Sequence, residues 1–226
     1  MNKWAIAKVL LKYRCAGILI GEVLRRLYSN GITYVVRKDR SIPVKEPGVK
    51  ISVAFREGSE EEIAKILDLE GPGMSKKDKW NVIRRSFLAC SGIRTCYIGI
   101  TEDDIPCHID WFIGPSEDGK IHEFFDGGFP PLADDEMLLE GGYTPETYRR
   151  KGIMANAYWQ IPKIGSPVVT RWVLSYMRKG NVESLKAARR AGFEPYLLRE
   201  EKWRFFRRKF HYTVLPPGTP FYFDEQ

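Results

Sequence analysis

The stretch PETYRRKGIMA, residues 145–155, joins a strand predicted over residues 136–143 to a helix predicted over residues 150–160. Pro162 is expected to stop that helix. The first N–H groups of a helix lack intrahelical partners, and their positive dipole end attracts anions. Three consecutive basic residues, followed by Gly152 where a ligand can approach the backbone, favour a phosphate site here. An ordinary strand-to-helix turn on a basic face is the alternative.

A second polar pattern follows a strand predicted over residues 168–177. Asn181 and Ser184 stand one turn apart at the start of a helix predicted over residues 181–191, and Gly192 ends it. Phe193 is expected to enter the core. Helix capping explains Asn181, although its amide could also contact a ligand at the sheet edge.

The other elements follow from hydrophobic periodicity and from turn residues. Helices are predicted from Ser59, which is an N-cap, to about residue 71 and over residues 75–89. A loop rich in Gly, Pro and Asp is expected over residues 114–134. Strands are predicted over residues 50–56, 93–101, 105–113, 193–199 and 203–215. This mixture indicates an α/β or α+β sheet with helices on both faces.

The N-terminal segment is predicted to be an amphipathic helix over residues 3–28, ended by Asn30-Gly31. A short strand over residues 32–36 and a polar link with Pro43 and Pro47 follow. We expect a boundary there, giving an N-terminal segment of residues 1–48 and a domain of residues 49–226. The apolar stripe of the helix packs on the domain or on a second copy of the chain, or docks on a membrane surface.

Composition limits the class of protein. The 226 residues are 43% hydrophobic and carry a net charge of +7, which indicates a globular chain whose surface suits a polyanionic partner. The four cysteines form no CxxC pair and the three histidines are scattered, so we expect no zinc site. Free thiols are typical of a reducing cytoplasm. No run of 18 apolar residues predicts a membrane span.

The two polar patterns together resemble the GNAT superfamily of acyl-CoA-dependent N-acyltransferases. Its Arg/Gln-x-x-Gly-x-Gly/Ala motif is matched by Arg149, Gly152 and Met154, and an Asn-x-x-Ser pattern followed by Gly-Phe is matched downstream. The resemblance covers residues 49–214. It implies a mixed, mostly antiparallel twisted sheet with helices on both faces and a splayed parallel strand pair. It also implies an acyltransferase, of the kind that transfers groups other than aminoacyl groups, moving an acetyl or other acyl group from acyl-CoA to an amine.

The resemblance implies roles for particular residues. The pantetheine arm of coenzyme A would pass between the strands at 136–143 and 168–177, along Leu139, Gly141 and Tyr143. Arg149, Asn181 and Ser184 are further expected cofactor contacts. The turn amides that would hold the pyrophosphate are those of Arg150, Lys151, Gly152, Ile153, Met154 and Ala155.

Two positions depart from the family pattern. Met154 replaces a small residue, although its N–H is retained. Ala188 stands where many members have a tyrosine that protonates the leaving thiolate.

Candidate catalytic groups lie on the central strands. A carboxylate acting through water would deprotonate the amine, with Glu140 preferred and Glu136, on the same strand face, second. Asp110 and His108 on the preceding hairpin are alternatives. The candidate replacement acids, each also explained by packing, are Tyr176, Tyr196 and Tyr212.

Two other functions remain open from sequence. A catalytically silent GNAT-like domain that binds coenzyme A or a protein partner would fit Ala188. The basic segment 204–209, with Phe205 and Phe206, is the argument for nucleic acid, but such a strand is more often a half-buried hairpin. The acceptor is expected to be a small-molecule or peptide amine. A homodimer or a peripheral contact with the inner face of a membrane would involve the N-terminal helix.

Overall fold

The computed structural model describes residues 12, 16–69, 74–165 and 170–224. Its sheet has the strand order β2-β3-β4-β5-β6-β1-β7-β8. The strands are β1 Tyr28–Asp39, β2 Val53–Glu57, β3 Cys96–Thr101, β4 Pro106–Ile113, β5 Glu136–Tyr143, β6 Trp172–Arg178, β7 Glu194–Arg204 and β8 Arg207–Val214. The helices are α1 Ala16–Leu27, α2 Glu60–Ile66, α3 Lys76–Ala89, α4 Asp118–Phe124, α5 Ile153–Gly165 and α6 Val182–Arg190.

One pair of neighbouring strands, β5 and β6, is parallel, and the other pairings among the described strands are antiparallel. The parallel pairing runs only from Glu136 opposite Trp172 to Leu139 opposite Ser175. Beyond these residues β5 stays paired with β4 and β6 stays paired with β1, so the two strands part. The predicted mixed, mostly antiparallel sheet with a splayed parallel pair is confirmed.

Helices cover both faces of the sheet, as predicted. The core on one face contains α5 and α6, and Phe193 enters it with 1% of its surface exposed. The core on the other face contains residues of α2, α3 and α4 and is centred on Trp111. None of the helices within the described ranges is both long and apolar enough to cross a bilayer.

The N-cap predicted at Ser59 is confirmed, and the structure adds a second cap at Ser75. Ser59 accepts from the N–H of Glu62, and the Glu62 side chain accepts from the N–H of Ser59, which is a capping box. Ser75 caps α3 by accepting from the N–H of Asp78. These contacts join residues three apart, so the sequence displays both partners.

The N-terminal prediction needs correction. Helix α1 ends at Leu27, and Asn30-Gly31 lies inside β1, a strand of 12 residues that is much longer than the predicted one. Residues 3–11 and 13–15 of the predicted helix lie outside the described residues. Strand β1 is an interior strand between β6 and β7, so the sheet includes residues on both sides of the predicted boundary at 48/49.

Three other predictions differ from the structure. Pro162 does not stop α5, which continues to Gly165 because buried Ile161 and Pro162 pack in the core. The predicted loop over residues 114–134 contains a 3₁₀ turn, Pro115–Glu117, and then α4.

The closing hairpin also turns at a different place. Its turn is Phe205-Phe206, whereas the charged residues 200–202 that were expected between its strands lie within β7. Both phenylalanines have positive φ, 48° and 64°. A left-handed conformation costs a non-glycine residue about 1–2 kcal/mol. Asn-Gly is the sequence that such two-residue turns favour, so Phe-Phe gave no turn signal.

Candidate functional site

The turn between β5 and α5 has the backbone conformation of an anion site. Arg150 and Gly152 have φ of 60° and 86°, and the first helical hydrogen bond runs from Asn156 N–H to the Gly152 carbonyl, 3.2 Å. The N–H groups of residues 150–152 donate no backbone hydrogen bond to any residue that the structure describes. The first N–H groups of α5 lack intrahelical acceptors in the same way. The turn therefore presents consecutive free donors at a positive helix end.

Gly152 has a structural role that the sequence did not indicate. The segment before β2 packs over the turn, where Lys50 N–H donates to the Lys151 carbonyl at 2.8 Å. A Cβ on Gly152 would lie 2.5 Å from the Gly48 carbonyl oxygen. Gly152 is thus required by its own positive φ and by a close approach of Gly48. From the sequence, Gly152 was explained only by the close approach of a phosphate.

The side chain of Arg149 anchors the start of the turn. Its guanidinium forms a bidentate ion pair with Asp78 of α3, and its Nε donates to the Thr144 carbonyl at 3.0 Å. The Thr144 hydroxyl in turn lies 2.8 Å from His108 Nδ1. These contacts tie α3, β4 and the turn together. They place the Arg149 side chain on protein partners, although it was expected to contact the cofactor.

Strand β5 bulges where it parts from β6. Gly141 and Gly142 together face the single residue Asp110 on β4, because Trp111 pairs with Glu140 and Ile109 pairs with Tyr143. Bulges of this kind redirect backbone groups and are common beside active sites. A Cβ on Gly141 would lie 2.7 Å from the Trp111 ring, so only glycine fits.

Arg85 of α3 holds the bulge in place. Its Nε donates to the Gly141 carbonyl at 2.7 Å, and its Nη2 donates to the Gly142 carbonyl at 2.6 Å. Burial, aided by neighbouring Arg84, lowers the Arg85 pKa to about 10, so the guanidinium remains charged at neutral pH. With both carbonyls bound on the α3 side, the backbone of the bulge is rigid.

His108 and Asp110 form a buried polar pair on β4. Neither side chain has more than 1% of its surface exposed, and His108 Nε2 lies 3.7 Å from Asp110 Oδ2, which is too long for a hydrogen bond. Both oxygens of Asp110 lack a hydrogen-bond partner among the described residues. Burial raises the pKa of Asp110, although His108 and Arg85 oppose the rise. Asp110 thus lies too deep to meet an acceptor directly.

Glu140 is the first residue of β5 beyond its pairing with β6, which ends at Leu139. It is half-buried, and burial raises its pKa, with Asp110 adding to the rise and Arg84 opposing it. Glu136, four residues earlier, lies at the other end of β5 and accepts from the Ala133 N–H at 3.0 Å. Of the two candidate bases on this strand, the structure places only Glu140 at the divergence.

The position of the expected tyrosine, Ala188, is fully buried in the core beside α5. A phenol at the divergence belongs to Tyr158 of α5, which sequence reasoning missed. It lies beside Ser175, the last β6 residue paired with β5. Burial raises the pKa of Tyr158 well above its ordinary value. Tyr158 was overlooked because it lies in the apolar stripe of α5, and a tyrosine at helical spacing in such a stripe indicates a core residue.

The motif residues of α6 are placed differently from one another. Asn181 is the N-cap of α6 but is exposed and makes no side-chain capping bond. Ser184 is buried, and its hydroxyl lies 3.5 Å from the Met154 sulfur. Met154 therefore links the two helices.

The three tyrosines proposed as replacement acids have packing roles. Tyr176 packs edge-on against Phe129, with ring centroids 4.4 Å apart. Tyr196 lies under Arg37, and the Tyr212 hydroxyl donates to the Gly128 carbonyl at 3.2 Å.

We predict that Asp110→Asn stabilises the protein at pH 7 and has little effect at pH 4. The folded pKa of Asp110 is raised above its unfolded value, so ionisation destabilises the fold as pH rises past about 4. The variant should therefore have a larger free energy of unfolding than the unmodified protein at pH 7. Urea unfolding at both pH values measures it. Asp103→Asn in the exposed β3–β4 turn is the control, and an equal response of both variants would contradict the prediction.

Comparisons with known proteins agree with this architecture. No family model matches the chain, and no curated protein matches its sequence. Among solved structures, an acetyltransferase of the GNAT family from Colwellia psychrerythraea superimposes with a TM-score of 0.51 at 10% identity, over 80% of this chain and 59% of that protein. The GCN5-related glucosamine N-acetyltransferase region of a fungal multi-domain GH3 beta-N-acetylglucosaminidase gives a TM-score of 0.50 at 11% identity, over 82% of this chain and 21% of that protein. The chain thus spans less than two thirds of the length of either protein, and it has the GNAT fold.

Proposed function

We propose that this protein transfers an acyl group from an acyl-CoA, with acetyl-CoA the simplest donor, to an amine by direct attack. The observation that carries the proposal is the alignment of three features along β5. The strand parts from β6 after Leu139, bulges at Gly141-Gly142 and leads into a turn with free N–H donors at the start of α5. A phosphate-bearing thioester fits this arrangement from its pyrophosphate to its reactive carbon.

The donor would bind along these features in order. The N–H groups of residues 150–155 would hold the pyrophosphate, with the exposed side chain of Arg150 and the half-buried Lys151 adding positive charge. The pantetheine arm would lie in the gap between β5 and β6. Because Leu139 is fully buried, its backbone and that of Gly141 would contact the arm. The bulge would then place backbone donors next to the thioester carbonyl.

The reaction needs a base for the amine and an acid for the leaving thiolate. In our proposal Glu140, through a water molecule, takes a proton from the amine as its nitrogen attacks the thioester carbon. The C–S bond breaks, and the thiolate takes a proton from the Tyr158 hydroxyl. The raised pKa makes Glu140 a stronger base, and the raised pKa of Tyr158 keeps its hydroxyl protonated before the thiolate forms.

The acceptor side would be the face that carries α3 and α4. Tyr176 and Phe129 form an aromatic wall there, and the loop before β5 is held down by Arg199, which donates to the Gly128 carbonyl. Glu140 acts electrostatically on Tyr176, so the carboxylate and this wall are near one another. An amine carried on an apolar or aromatic group fits such a surface.

A catalytically silent domain that binds coenzyme A is the second candidate, and buried Ala188 favours it. An assay of acyl-CoA consumption with a panel of small and peptide amines separates the two. Binding of coenzyme A without transfer to any amine would support the silent domain.

The phosphate turn gives the first prediction. Lys151→Glu should weaken acetyl-CoA binding at least about tenfold, because it places a negative charge beside the pyrophosphate without disturbing the Lys151 backbone. Calorimetry should show no comparable loss for S-acetylpantetheine, which has no pyrophosphate. Lys186→Glu on the exposed face of α6 is the control. Equal losses for both donors would place the pyrophosphate elsewhere.

The two carboxylates of β5 give a matched pair of variants. Glu140→Gln should lower kcat by about 100-fold or more and remove the acidic limb of the pH–rate profile. That limb arises because activity falls as pH drops through the raised pKa of Glu140. Glu136→Gln should leave kcat unchanged, since its carboxylate only caps the Ala133 N–H. If Glu136→Gln has the larger effect, the base is not Glu140.

The role of Tyr158 is tested with two kinds of donor. Tyr158→Phe should lower kcat with acetyl-CoA by about 100-fold, in the range of general acid catalysis. Transfer from 4-nitrophenyl acetate should be unaffected, because nitrophenolate leaves without a proton. A merely structural role for the hydroxyl would slow both donors equally and lower the melting temperature.

A further inference from the structure

We propose that the tip of the β7–β8 hairpin, together with the end of α1, docks on an anionic membrane surface. The hairpin tip is defined as residues 202–209, with the sequence KWRFFRRK. Phe205 and Phe206 form the turn, with 80% and 56% of their surfaces exposed. Large apolar side chains thus remain mostly exposed at the turn.

The charges of the tip are of one sign. Five of its eight residues are Lys or Arg and none is acidic. Arg204 pairs with Arg207 across the strands and Lys202 pairs with Lys209, so four of the cations lie on one face of the hairpin. Like charges directly opposite each other destabilise a hairpin. Glu200 lies 3.4 Å from Lys202 and offsets one of these charges. An anionic surface would supply complementary charge to the others.

Helix α1 extends the apolar surface of the tip. Phe205 N–H donates to the Leu27 carbonyl and Phe206 N–H donates to the Arg26 carbonyl, both at 2.8 Å. These bonds cap the C-terminus of α1 and fix the helix against the turn. On α1, Ile20 and Leu24 have 60% and 59% of their surfaces exposed. Arg25 and Arg26 lie over the Trp203 ring, so α1 packs on the face of β7 opposite the four paired cations. The tip thus has exposed apolar side chains at its turn and on the adjoining helix, and cations on its other face.

The turn keeps its phenylalanines against local backbone preference. Both adopt positive φ, which Asn-Gly would adopt with less strain. Strain retained at an exposed position is common at binding sites. Hairpin folding does not explain the exposed Phe-Phe pair, because Asn-Gly would form the turn with less strain. Core packing does not explain it either, because neither core includes these residues.

Several observations favour a membrane over a nucleic acid as the partner. Stacking of bases requires aromatic rings along a groove, whereas these two rings stand at the end of a turn. Nucleic acid would also leave the aliphatic residues of α1 without a role. Insertion of apolar side chains with basic residues around them is typical of interfacial membrane binding.

The test replaces the turn with its preferred sequence. The double variant Phe205→Asn with Phe206→Gly should fold with an unchanged or higher melting temperature. It should also lose binding to vesicles of phosphatidylcholine and phosphatidylserine by at least about tenfold. Val214→Asn removes an apolar side chain with 71% exposure elsewhere on β8 and should bind like the unmodified protein. Phe205→Trp with Phe206→Trp should retain binding. Sedimentation with vesicles at low and high salt provides the measurement.

Clear outcomes would overturn the proposal. It fails if the intact protein does not sediment with anionic vesicles at low salt, or if the Asn-Gly variant binds them as well as before. If the protein binds single-stranded RNA and does not bind vesicles, the partner of the tip is a nucleic acid and the proposal is wrong. A dimer that the Asn-Gly variant dissociates, again without vesicle binding, would assign it to a second copy of the chain.

Discussion

The buried guanidinium of Arg85, bound to the carbonyls of Gly141 and Gly142, is the contact on which the geometry of the site depends. It comes from α3 and satisfies two backbone groups of a bulge that would otherwise lie against an apolar core. With the bulge fixed, β5 follows β4 while β6 follows β1, and the two parallel strands separate after Leu139. Burying a polar backbone without partners costs about 1–3 kcal/mol per group, so an arginine there stabilises a gap that the sheet would not form unaided.

Charge is distributed unevenly over this basic chain. Buried Asp110 and half-buried Glu140 lie at the divergence, and burial raises the pKa of each. Positive charge collects at two other places, the turn before α5 and the hairpin tip. In our proposals the turn before α5 and the hairpin tip each meet an anionic partner. The carboxyls at the divergence, with their raised pKa values, are the groups that we propose for proton transfer.

The site combines rigid and variable parts. Its donors and carboxylates stand on strands and at a helix start, where ion pairs such as Asp78–Arg149 hold them in position. Ala188, at the position where the family pattern has a tyrosine, packs in the core, whereas Tyr158 on α5 lies beside Ser175 at the divergence. In our proposal Tyr158 supplies the hydroxyl that the family pattern places on α6.

The sequence by itself determined the local features. The capping box at Ser59, the cap at Ser75, the extent of β5 and the turn before α5 all depend on residues within a few positions of one another. The preference for Glu140 over Glu136 stays a prediction, although the structure places only Glu140 at the gap.

Tertiary structure decided the features whose partners are distant in sequence. Asn30-Gly31 was predicted to end the first helix but lies inside β1, and the last carbonyls of α1 accept from the N–H groups of Phe205 and Phe206. Gly152 is needed for the close approach of Gly48, which lies about a hundred residues earlier in the sequence. The central place of β1, the Phe-Phe turn and the position of Tyr158 likewise follow from contacts between elements. No pattern along the chain shows such contacts, because hydrogen bonds and burial depend on distance in space.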